Sequence, residues 1–529
     1  MTISWLTVPR LWARRWCVFI GLVVLLCLGL AQIGVGAQAT PAPKPNIVLI
    51  LTDDMATSDM RWDDARAMRY TKKLLANHGM TFTNAFASYS WCCPFRATML
   101  LGQYAHNHEV FSNGPPDGGG PRFMARGHDK RTFAVWFQEA GITTGLVGKM
   151  LNHYLLKEFG TLPGWSYVAM VDNAHESYNY DLLTHDDGLL HYGNQPEDYL
   201  NDVLTQYAIE FLQQAAAAPE PFFLYVGTSN PHSPTIAAPR HLGLHKDAAL
   251  PRSPAFNEAD RSDKPALIRS LPPLSNTQIA ELTAEYRRRL DSLMAVDEMV
   301  RDIVETLEAT GEIDNTYIIF TSDNGFHLGE HGLIAGKNTA YTTDTNIPLI
   351  VRGPGIRAGV VSDTLIVNTD FAPTFADIIG VPTPSSVDGR SFLPLLMDQD
   401  AAWTRQSILL ERRVPEDQLF RQAKDAGISM AEVERAGHFN GLMTKEQLYV
   451  EYADTGEREL YELAADPYQL NNVAKEAAPA FLAMLSGRVA DLVSCAGAEC
   501  RQIEDLPVGI GSDQVSLQKQ PPAQAAVKD

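Results

Sequence analysis

Positive charge is scarce in this chain of 529 residues, in which 43 lysines and arginines stand against 63 aspartates and glutamates. The resulting formal net charge of -20 at pH 7 repels nucleic acids and anionic membrane surfaces, so both are excluded as general partners. Internal repeats are also lacking, which excludes a repeat architecture. An anionic substrate would therefore have to be bound by a few locally placed cations.

Cysteine is rare as well, with six in the whole chain. Two lie in the first forty residues, Cys92 and Cys93 are adjacent, and Cys495 and Cys500 flank a short loop. In an exported protein the last pair predicts a local disulfide, whereas two unpaired thiols are the alternative. The sequence also lacks any N-x-S/T sequon, which disfavours a eukaryotic glycoprotein.

The N-terminus has the pattern of a targeting segment. A long apolar run at about 17–31 follows three arginines and precedes small residues that end at Ala37–Ala39. This order is typical of a cleavable secretory signal peptide, with an uncleaved membrane anchor as the alternative. Residues 1–39 therefore predict a secreted, periplasmic or otherwise extracytoplasmic protein, and residues 40–45 a proline-rich linker.

After the linker, short apolar runs alternate with longer helical patterns. This alternation predicts an α/β fold with a large mixed, mostly parallel sheet sandwiched by helices. The predicted strands are 47–51, 143–147, 222–226, 317–320 and 349–351. A long apolar stripe predicts a core-facing helix over about 277–307. Residues 234–273 are rich in proline and charge, which predicts a surface excursion.

The pattern changes near residue 403. We therefore expect a main domain at 46–402 and a smaller α+β subdomain at 403–505. The strands and the helix predicted for the subdomain are 441–452, 460–463 and 479–493. Residues 506–529 are rich in Gln, Pro and Ala and are predicted to be disordered.

Two predicted strands end in oxygen-rich side chains. Asp53 and Asp54 follow the first strand, and Asp323 and Asn324 follow the fourth. Ligands of parallel α/β sheets gather at the carboxyl ends of strands, so these oxygens are expected to converge. Carboxylates this close need a cation, and oxygen ligands suit Ca²⁺ or Mg²⁺ better than Zn²⁺. For either pair alone, a turn or helix-capping role is the alternative.

The adjacent cysteines begin the segment Cys92-Cys93-Pro94-Phe95-Arg96. Pro94 suits the first turn of a helix, which would place Cys92 near the N-terminus, where backbone amides favour anions. Arg96 adds positive charge to the same end. A nucleophilic thiol is one interpretation of Cys92, and a buried small hydrophobe or a vicinal disulfide is the other.

The pattern C-x-P-x-R followed by A-x-x-L-x-G resembles the signature of the type I sulfatase family. In that family a formylglycine-generating enzyme oxidises the first cysteine, here Cys92. Phe95 stands where the family usually has a serine. The resemblance covers most of the chain and implies an alkaline-phosphatase-like fold. Segments at 256–265 and 466–472 resemble the subgroup of N-acetylglucosamine-6-sulfatases and related arylsulfatases.

The resemblance implies a role for each site residue. Asp53, Asp54, Asp323 and Asn324 would bind one divalent cation, with Ca²⁺ favoured and Mg²⁺ as the alternative, and the modified Cys92 would lie beside it. Arg96 and Lys149 would hold the formylglycine hydrate. Lys337 and His232 would contact the sulfate and the departing oxygen.

A second position departs from the family. Leu151 stands where many members have a histidine, and Asn152 or His153 would have to replace it. The base that regenerates the aldehyde therefore remains unassigned.

The implied chemistry is covalent catalysis. A thiolate that attacked sulfur would leave a stable adduct, whereas a hydrated aldehyde carries two hydroxyls on one carbon. One hydroxyl attacks sulfur and expels the alcohol, and deprotonation of the other ejects sulfate and restores the aldehyde. The sequence therefore predicts a sulfuric ester hydrolase that acts on a sulfated small molecule or glycan.

Three alternatives stand beside this prediction. One is a phosphatase or phosphonate hydrolase of the same fold, and another is a non-catalytic exported binding protein with an unmodified Cys92. The third is a zinc peptidase, because His327–His331 matches H-x-x-E-H. Gly329 lies inside that motif and disfavours the helix that a zinc peptidase needs.

Overall fold

A computed structural model describes residues 44–61, 63–64, 67–171, 176–398, 403–413, 424–425 and 438–508. The predicted signal peptide or anchor at 1–39 and residues 509–529 of the predicted tail lie outside the described residues. Within these ranges no helix combines the length and the apolar character that a membrane span requires.

The described strands and helices alternate along most of the chain. The strands are β1 (Asn46–Asp53), β2 (Met80–Phe82), β3 (Ala85–Phe86), β4 (Thr143–Gly148), β5 (Tyr167–Val171), β6 (Tyr180–Thr184), β7 (Gly188–Tyr192), β8 (Phe222–Pro231), β9 (Thr316–Ser322), β10 (Leu349–Arg352), β11 (Val360–Ser362), β12 (Ile366–Val367), β13 (Ile408–Arg412), β14 (Phe439–Met443), β15 (Gln447–Tyr452) and β16 (Glu457–Glu462). The α-helices are Cys92–Leu101, Ala105–His108, Gly119–Ala125, Phe133–Glu139, Leu156–Phe159, Leu200–Ala216, Ala266–Ser270, Asn276–Thr310, Thr342–Thr345, Phe371–Ile379, Leu393–Leu396, Pro479–Leu492 and Ala498–Glu504.

The central sheet has ten strands in the order β11-β2-β10-β9-β1-β8-β4-β5-β6-β7. Its middle is parallel, because β9, β1, β8, β4 and β5 all run in one direction. Antiparallel pairing begins at β10 on one side and at β6 on the other. All five predicted strands are present, and the predicted mixed, mostly parallel sheet is confirmed.

Helices cover both faces of this sheet. Alternate residues of β1 point to opposite faces, as the two-residue period of a strand requires. Ile47, Leu49 and Leu51 pack in the core below Cys92–Leu101 and Phe371–Ile379. Val48 and Ile50 pack in a second core, which Leu200–Ala216 and Asn276–Thr310 complete. Both layers bury β1 completely, which explains its unbroken apolar run.

The long helix Asn276–Thr310 confirms the prediction for 277–307 and extends it at both ends. Ser275 caps its N-terminus by accepting a hydrogen bond from the backbone N–H of Gln278. Gly311 ends it in the left-handed conformation with φ of 79°. The excursion before this helix has only short helical segments, Pro239–His241 and Ala266–Ser270, as the sequence predicts.

A second sheet follows the central one and is antiparallel, in the order β13-β14-β15-β16. The strand expected at 441–452 is two strands, because Thr444 accepts a turn hydrogen bond from the backbone N–H of Gln447. β13 lies in a segment for which the sequence predicts no strand. The predicted helix is confirmed as Pro479–Leu492, and the predicted disulfide joins Cys495 to Cys500. The boundary near residue 403 stays a prediction.

An imidazole of the short helix Ala105–His108 contacts the second sheet. His106 Nδ1 lies 3.3 Å from Glu411 Oε1, and its Nε2 lies 3.0 Å from the carbonyl oxygen of Cys495. Burial alone would lower the pKa of His106, but the Glu411 carboxylate, with Asp388 adding to it, raises the pKa above its ordinary value. The geometry therefore favours a charged imidazolium at this contact.

We expect His106→Gln to lower the free energy of unfolding by about 2 kcal/mol at pH 6, which is the typical contribution of a hydrogen bond to a charged group. Because the folded-state pKa is raised, this contribution is complete below the unfolded pKa of about 6.5 and is lost as the pH rises through the folded value. Chemical denaturation at pH 6 and pH 9 measures the difference. His191→Gln is the control, since His191 pairs with Asp181 at 64% exposure. If His106→Gln lowers the free energy of unfolding by the same amount at pH 9 as at pH 6, the prediction is contradicted.

Candidate active site

Four neighbouring strands of the central sheet deliver the site residues to one edge. β1 ends in Asp53 and pairs in parallel with β9, so that Thr52 lies beside Ser322. The residues 53–54 and 323–324 therefore follow side by side. On the other flank, Asp53 lies beside Pro231 of β8, which precedes His232. β4 ends at Gly148 beside β8, so Lys149 enters the same edge.

The helix Cys92–Leu101 begins at the predicted nucleophile and is buried along its whole length. Cys92 Sγ lies 3.3 Å from Asp53 Oδ1, 3.9 Å from Asp54 Oδ1 and 2.9 Å from Lys337 Nζ. Both Cys92 and Cys93 are free thiols, so the vicinal disulfide is excluded. The helix start thus meets the end of β1, as the sequence predicts.

Three basic side chains contact the acidic side chains. Lys149 Nζ contacts Asp53, and Lys337 Nζ contacts Asp54. Arg96 Nε donates to Asp323 Oδ2 at 2.9 Å.

The guanidinium of Arg96 is fixed further by the backbone. Its Nη1 donates to the carbonyl oxygen of Lys149 at 2.8 Å and to the hydroxyl of Tyr225 at 3.0 Å. Lys149, Lys337 and Arg96 therefore place positive charge at one point of a protein whose formal net charge is -20.

The charges around Cys92 decide which groups ionise. Burial opposes ionisation of Asp53, but Lys149 and its neighbouring cations outweigh burial and hold the pKa well below the ordinary value. Burial, and then the Asp53 carboxylate, raise the pKa of the Cys92 thiol well above its usual range. Cys92 is therefore a protonated thiol at neutral pH, which is a poor nucleophile.

Four side chains at the same edge lie close enough together to hold a metal ion. Ligand atoms of Asp53, Asp54, Cys92 and His232 lie within 4.8 Å of one another. Asp54 N–H donates to Asp323 Oδ1 at 3.0 Å, so the second acidic pair adjoins the first.

One buried side-chain oxygen at this edge lacks a hydrogen-bond partner among the described residues. The buried Oδ1 of Asn324 has no hydrogen-bond partner among the described residues, while its Nδ2 donates to Asp54 Oδ1. A buried oxygen without a donor beside several carboxylates suits a divalent cation.

His232 lies at the mouth of the site. Its side chain is 18% exposed, and its Nε2 lies 3.6 Å from Asp54 Oδ2. Burial lowers its pKa, which favours the neutral imidazole.

The H-x-x-E-H histidines have other partners. His327 Nδ1 lies 2.8 Å from Asp344 Oδ1, and His331 Nδ1 lies 2.7 Å from Glu258 Oε2. The segment between them is not helical, and Gly329 has φ of 116°. The zinc-peptidase alternative is therefore wrong.

Residues 151–153 have diverse surroundings. Leu151 is part of the core, and the Oδ1 of Asn152 is buried without a partner among the described residues. His153 is exposed, with φ of 52°. These positions leave the base unassigned.

Two buried charges near the site were missed in the sequence. Arg289 of the long helix and Asp59 form an ion pair with 2.6 Å between Arg289 Nη2 and Asp59 Oδ2. Arg289 follows two other arginines, Arg287 and Arg288, and adjoins Leu290 of the apolar stripe. An arginine beside a core-facing position was the only signal.

Comparisons with known proteins identify relatives of this chain. The family model described as Sulfatase matches residues 45–381. N-acetylglucosamine-6-sulfatase from Capra hircus is 34% identical over 492 residues, covering 89% of this chain and 87% of that protein.

Two solved structures share the fold. One, a protein in complex with its substrate D-glucosamine-2-N,6-O-disulfate, has a TM-score of 0.71 at 24% identity and covers 87% of this chain and 98% of that chain. A phosphonate monoester hydrolase from Silicibacter pomeroyi has a TM-score of 0.65 at 22% identity, covering 85% of this chain and 94% of that chain.

Proposed function

Because the chain belongs to the sulfatase family and is a sulfuric ester hydrolase, we propose that it removes the 6-O-sulfate of a sulfated amino sugar. The proposed nucleophile is a formylglycine made from Cys92 by a formylglycine-generating enzyme, assisted by one divalent cation. The substrate class rests on the names of the relatives, which include N-acetylglucosamine-6-sulfatases. The proposed location is outside the cytoplasm, after export by residues 1–39.

One contact carries the nucleophile proposal. Cys92 Sγ lies between Asp53 and Lys337, at 3.3 Å and 2.9 Å. The sulfur stands where the hydroxyl oxygens of a hydrated aldehyde would lie. Because the thiol itself resists ionisation there, an unmodified cysteine suits this position poorly.

The cation would be held by Asp53, Asp54, Asp323 and Asn324, with Ca²⁺ favoured by the all-oxygen set. When bound, a divalent cation polarises sulfate oxygens and stabilises charge that develops on them. The unpartnered Asn324 Oδ1 is the observation that supports this ligand set. Asp323 is already oriented by Arg96 and by the backbone of Asp54.

The cations of the site have separate proposed roles. Arg96 and Lys149 hold the nucleophile and its developing charge. Lys337, whose pKa is raised because Asp54 outweighs the effect of burial, stays charged and binds a sulfate oxygen. His232, at the solvent side, is positioned to contact the departing oxygen of the alcohol.

The chain is also proposed to divide by task. Residues 46–402 supply all the proposed site residues and form the catalytic domain, and residues 403–505 form the C-terminal subdomain.

A substrate panel tests the proposed function. We expect N-acetylglucosamine-6-sulfate to be cleaved with a kcat/KM at least about tenfold above that of an aryl sulfate, because contacts to the sugar add to transition-state binding. Free sulfate released by purified, modified protein is the measurement. Preference for the aryl sulfate would contradict the amino-sugar assignment while leaving the sulfatase activity intact.

A second activity is favoured by one observation, the fold shared with phosphonate monoester hydrolases. A phenylphosphonate monoester therefore belongs in the same panel. Turnover of the phosphonate above that of every sulfate would replace the proposed function by phosphonate hydrolysis.

A further inference from the structure

Arg289 is buried at the back of the site, far from it in sequence. Its Nη2 donates to the carbonyl oxygen of Asp54, 235 residues earlier in the chain, and to Asp59 Oδ2 at 2.6 Å. Its Nη1 reaches the carbonyl oxygen of Pro231, next to His232, at 3.5 Å. One guanidinium thus contacts the residue that follows β1 and the last residue of β8.

Arg289 also contacts the segment that follows β9. The guanidinium carbon lies 4.2 Å from the ring centroid of Phe326, two residues after Asn324. Asp59 completes the arrangement, because its Oδ2 also accepts a hydrogen bond from the backbone N–H of Ala56 at 3.0 Å. The pair therefore joins the backbones on which the proposed metal ligands lie.

Stability alone explains this ion pair poorly. Among the described residues, the buried Nε of Arg289 and the buried Oδ1 of Asp59 have no hydrogen-bond partner. Incompletely satisfied buried charges commonly contribute little or nothing to stability compared with apolar residues of similar volume. The backbone of Asp54 needs external support, since this residue adopts a left-handed φ of 67°.

We propose that Arg289, oriented by Asp59, is a positioning residue that fixes the backbone of Asp54 and Pro231 for cation binding. It acts through the residues it holds and does not contact the substrate. This inference rests on the proposed function, because it assumes a cation at Asp53, Asp54, Asp323 and Asn324. Groups behind metal ligands commonly change metal affinity or activity by about 10-fold to 100-fold when altered.

The test uses full-length, modified protein stripped of metal by a chelator. Ca²⁺ binding is measured by calorimetry, and kcat and KM are measured on N-acetylglucosamine-6-sulfate. We expect Arg289→Lys to weaken Ca²⁺ binding by about tenfold or more and to lower kcat, because one ammonium cannot span three acceptors.

Arg405→Lys is the matched control. Arg405 is equally buried and pairs with Asp370 and Glu504, away from the site. We expect a similar loss of thermal stability in both variants, with unchanged Ca²⁺ affinity in Arg405→Lys. Equal Ca²⁺ affinity in Arg289→Lys and the native protein overturns the proposal.

A double variant separates positioning from charge pairing. If Arg289 only neutralises Asp59, combining Arg289→Met with Asp59→Asn restores the Ca²⁺ affinity that Arg289→Met loses. We expect no such restoration, because the donors to Asp54 and Pro231 are still missing. Restoration overturns the inference, and should Arg289→Met fail to fold, the Arg289→Lys comparison decides alone. Native protein that neither binds Ca²⁺ nor turns over would instead refute the proposed function.

Discussion

Replacing Cys92 with alanine is expected to lower kcat/KM on sulfate esters by about 10⁴-fold or more, the loss typical of a missing covalent nucleophile. Cys92 is fully buried at the start of its helix. Because alanine is smaller than cysteine, its methyl group fits the same space. Folding should therefore survive, and the residual rate should reflect only the bound cation and the surrounding lysines. Initial rates with the modified native protein and the variant give the ratio.

Cys93→Ala is the matched control for this experiment. Cys93 is as buried as Cys92, but its backbone N–H donates to Asn113 and its side chain belongs to the core below the sheet. We expect activity within about tenfold of native for Cys93→Ala, since the change removes a small apolar group away from the nucleophile. Equal loss in both variants would show a packing effect, and native rates in Cys92→Ala would remove the nucleophile assignment.

Removal of the metal has the second largest expected effect. Exhaustive chelation should lower turnover by about 10³-fold, because a divalent cation contributes several kcal/mol of charge stabilisation at a sulfate oxygen. Without the cation, the buried carboxylates also repel one another. Burial, and then the charge of Asp53, raise the pKa of Asp323 to about 6. Added Ca²⁺ is expected to restore turnover, and restoration by Zn²⁺ alone would contradict the oxygen-ligand assignment.

Two asparagines provide a matched test of the ligand set. Asn324 and Asn201 are both buried, and each has a side-chain oxygen without a partner among the described residues. We expect Asn324→Ala to weaken Ca²⁺ binding by at least about tenfold and Asn201→Ala to leave it unchanged. Calorimetry on the stripped proteins measures both. Equal affinities would exclude Asn324 as a ligand.

The convergence of the acidic pairs could be predicted because it follows from local rules. Asp53 and Asp323 each come directly after an apolar strand, and parallel neighbours in register end at the same edge. The helix at Cys92 was equally predictable, because Pro94 marks a first turn. These features depend on residues close in sequence and on one topological rule.

Other features depend on contacts that no local pattern encodes. Arg287, Arg288 and Arg289 are chemically identical, yet only Arg289 is fully buried, because the helix turns it toward Asp54. β13 was missed because its strand character comes from pairing with β14 after a long gap in sequence. Long-range packing decided both.

The central claim is that an aldehyde at position 92 stands beside the acidic edge of the sheet. The most direct measurement is the mass of the proteolytic peptide that contains Cys92, from protein with measured sulfatase activity. Oxidation of the thiol to formylglycine predicts a peptide about 18 mass units lighter than the sequence mass, in a fraction that tracks specific activity. A fully active preparation in which this peptide carries only the intact thiol would contradict the account.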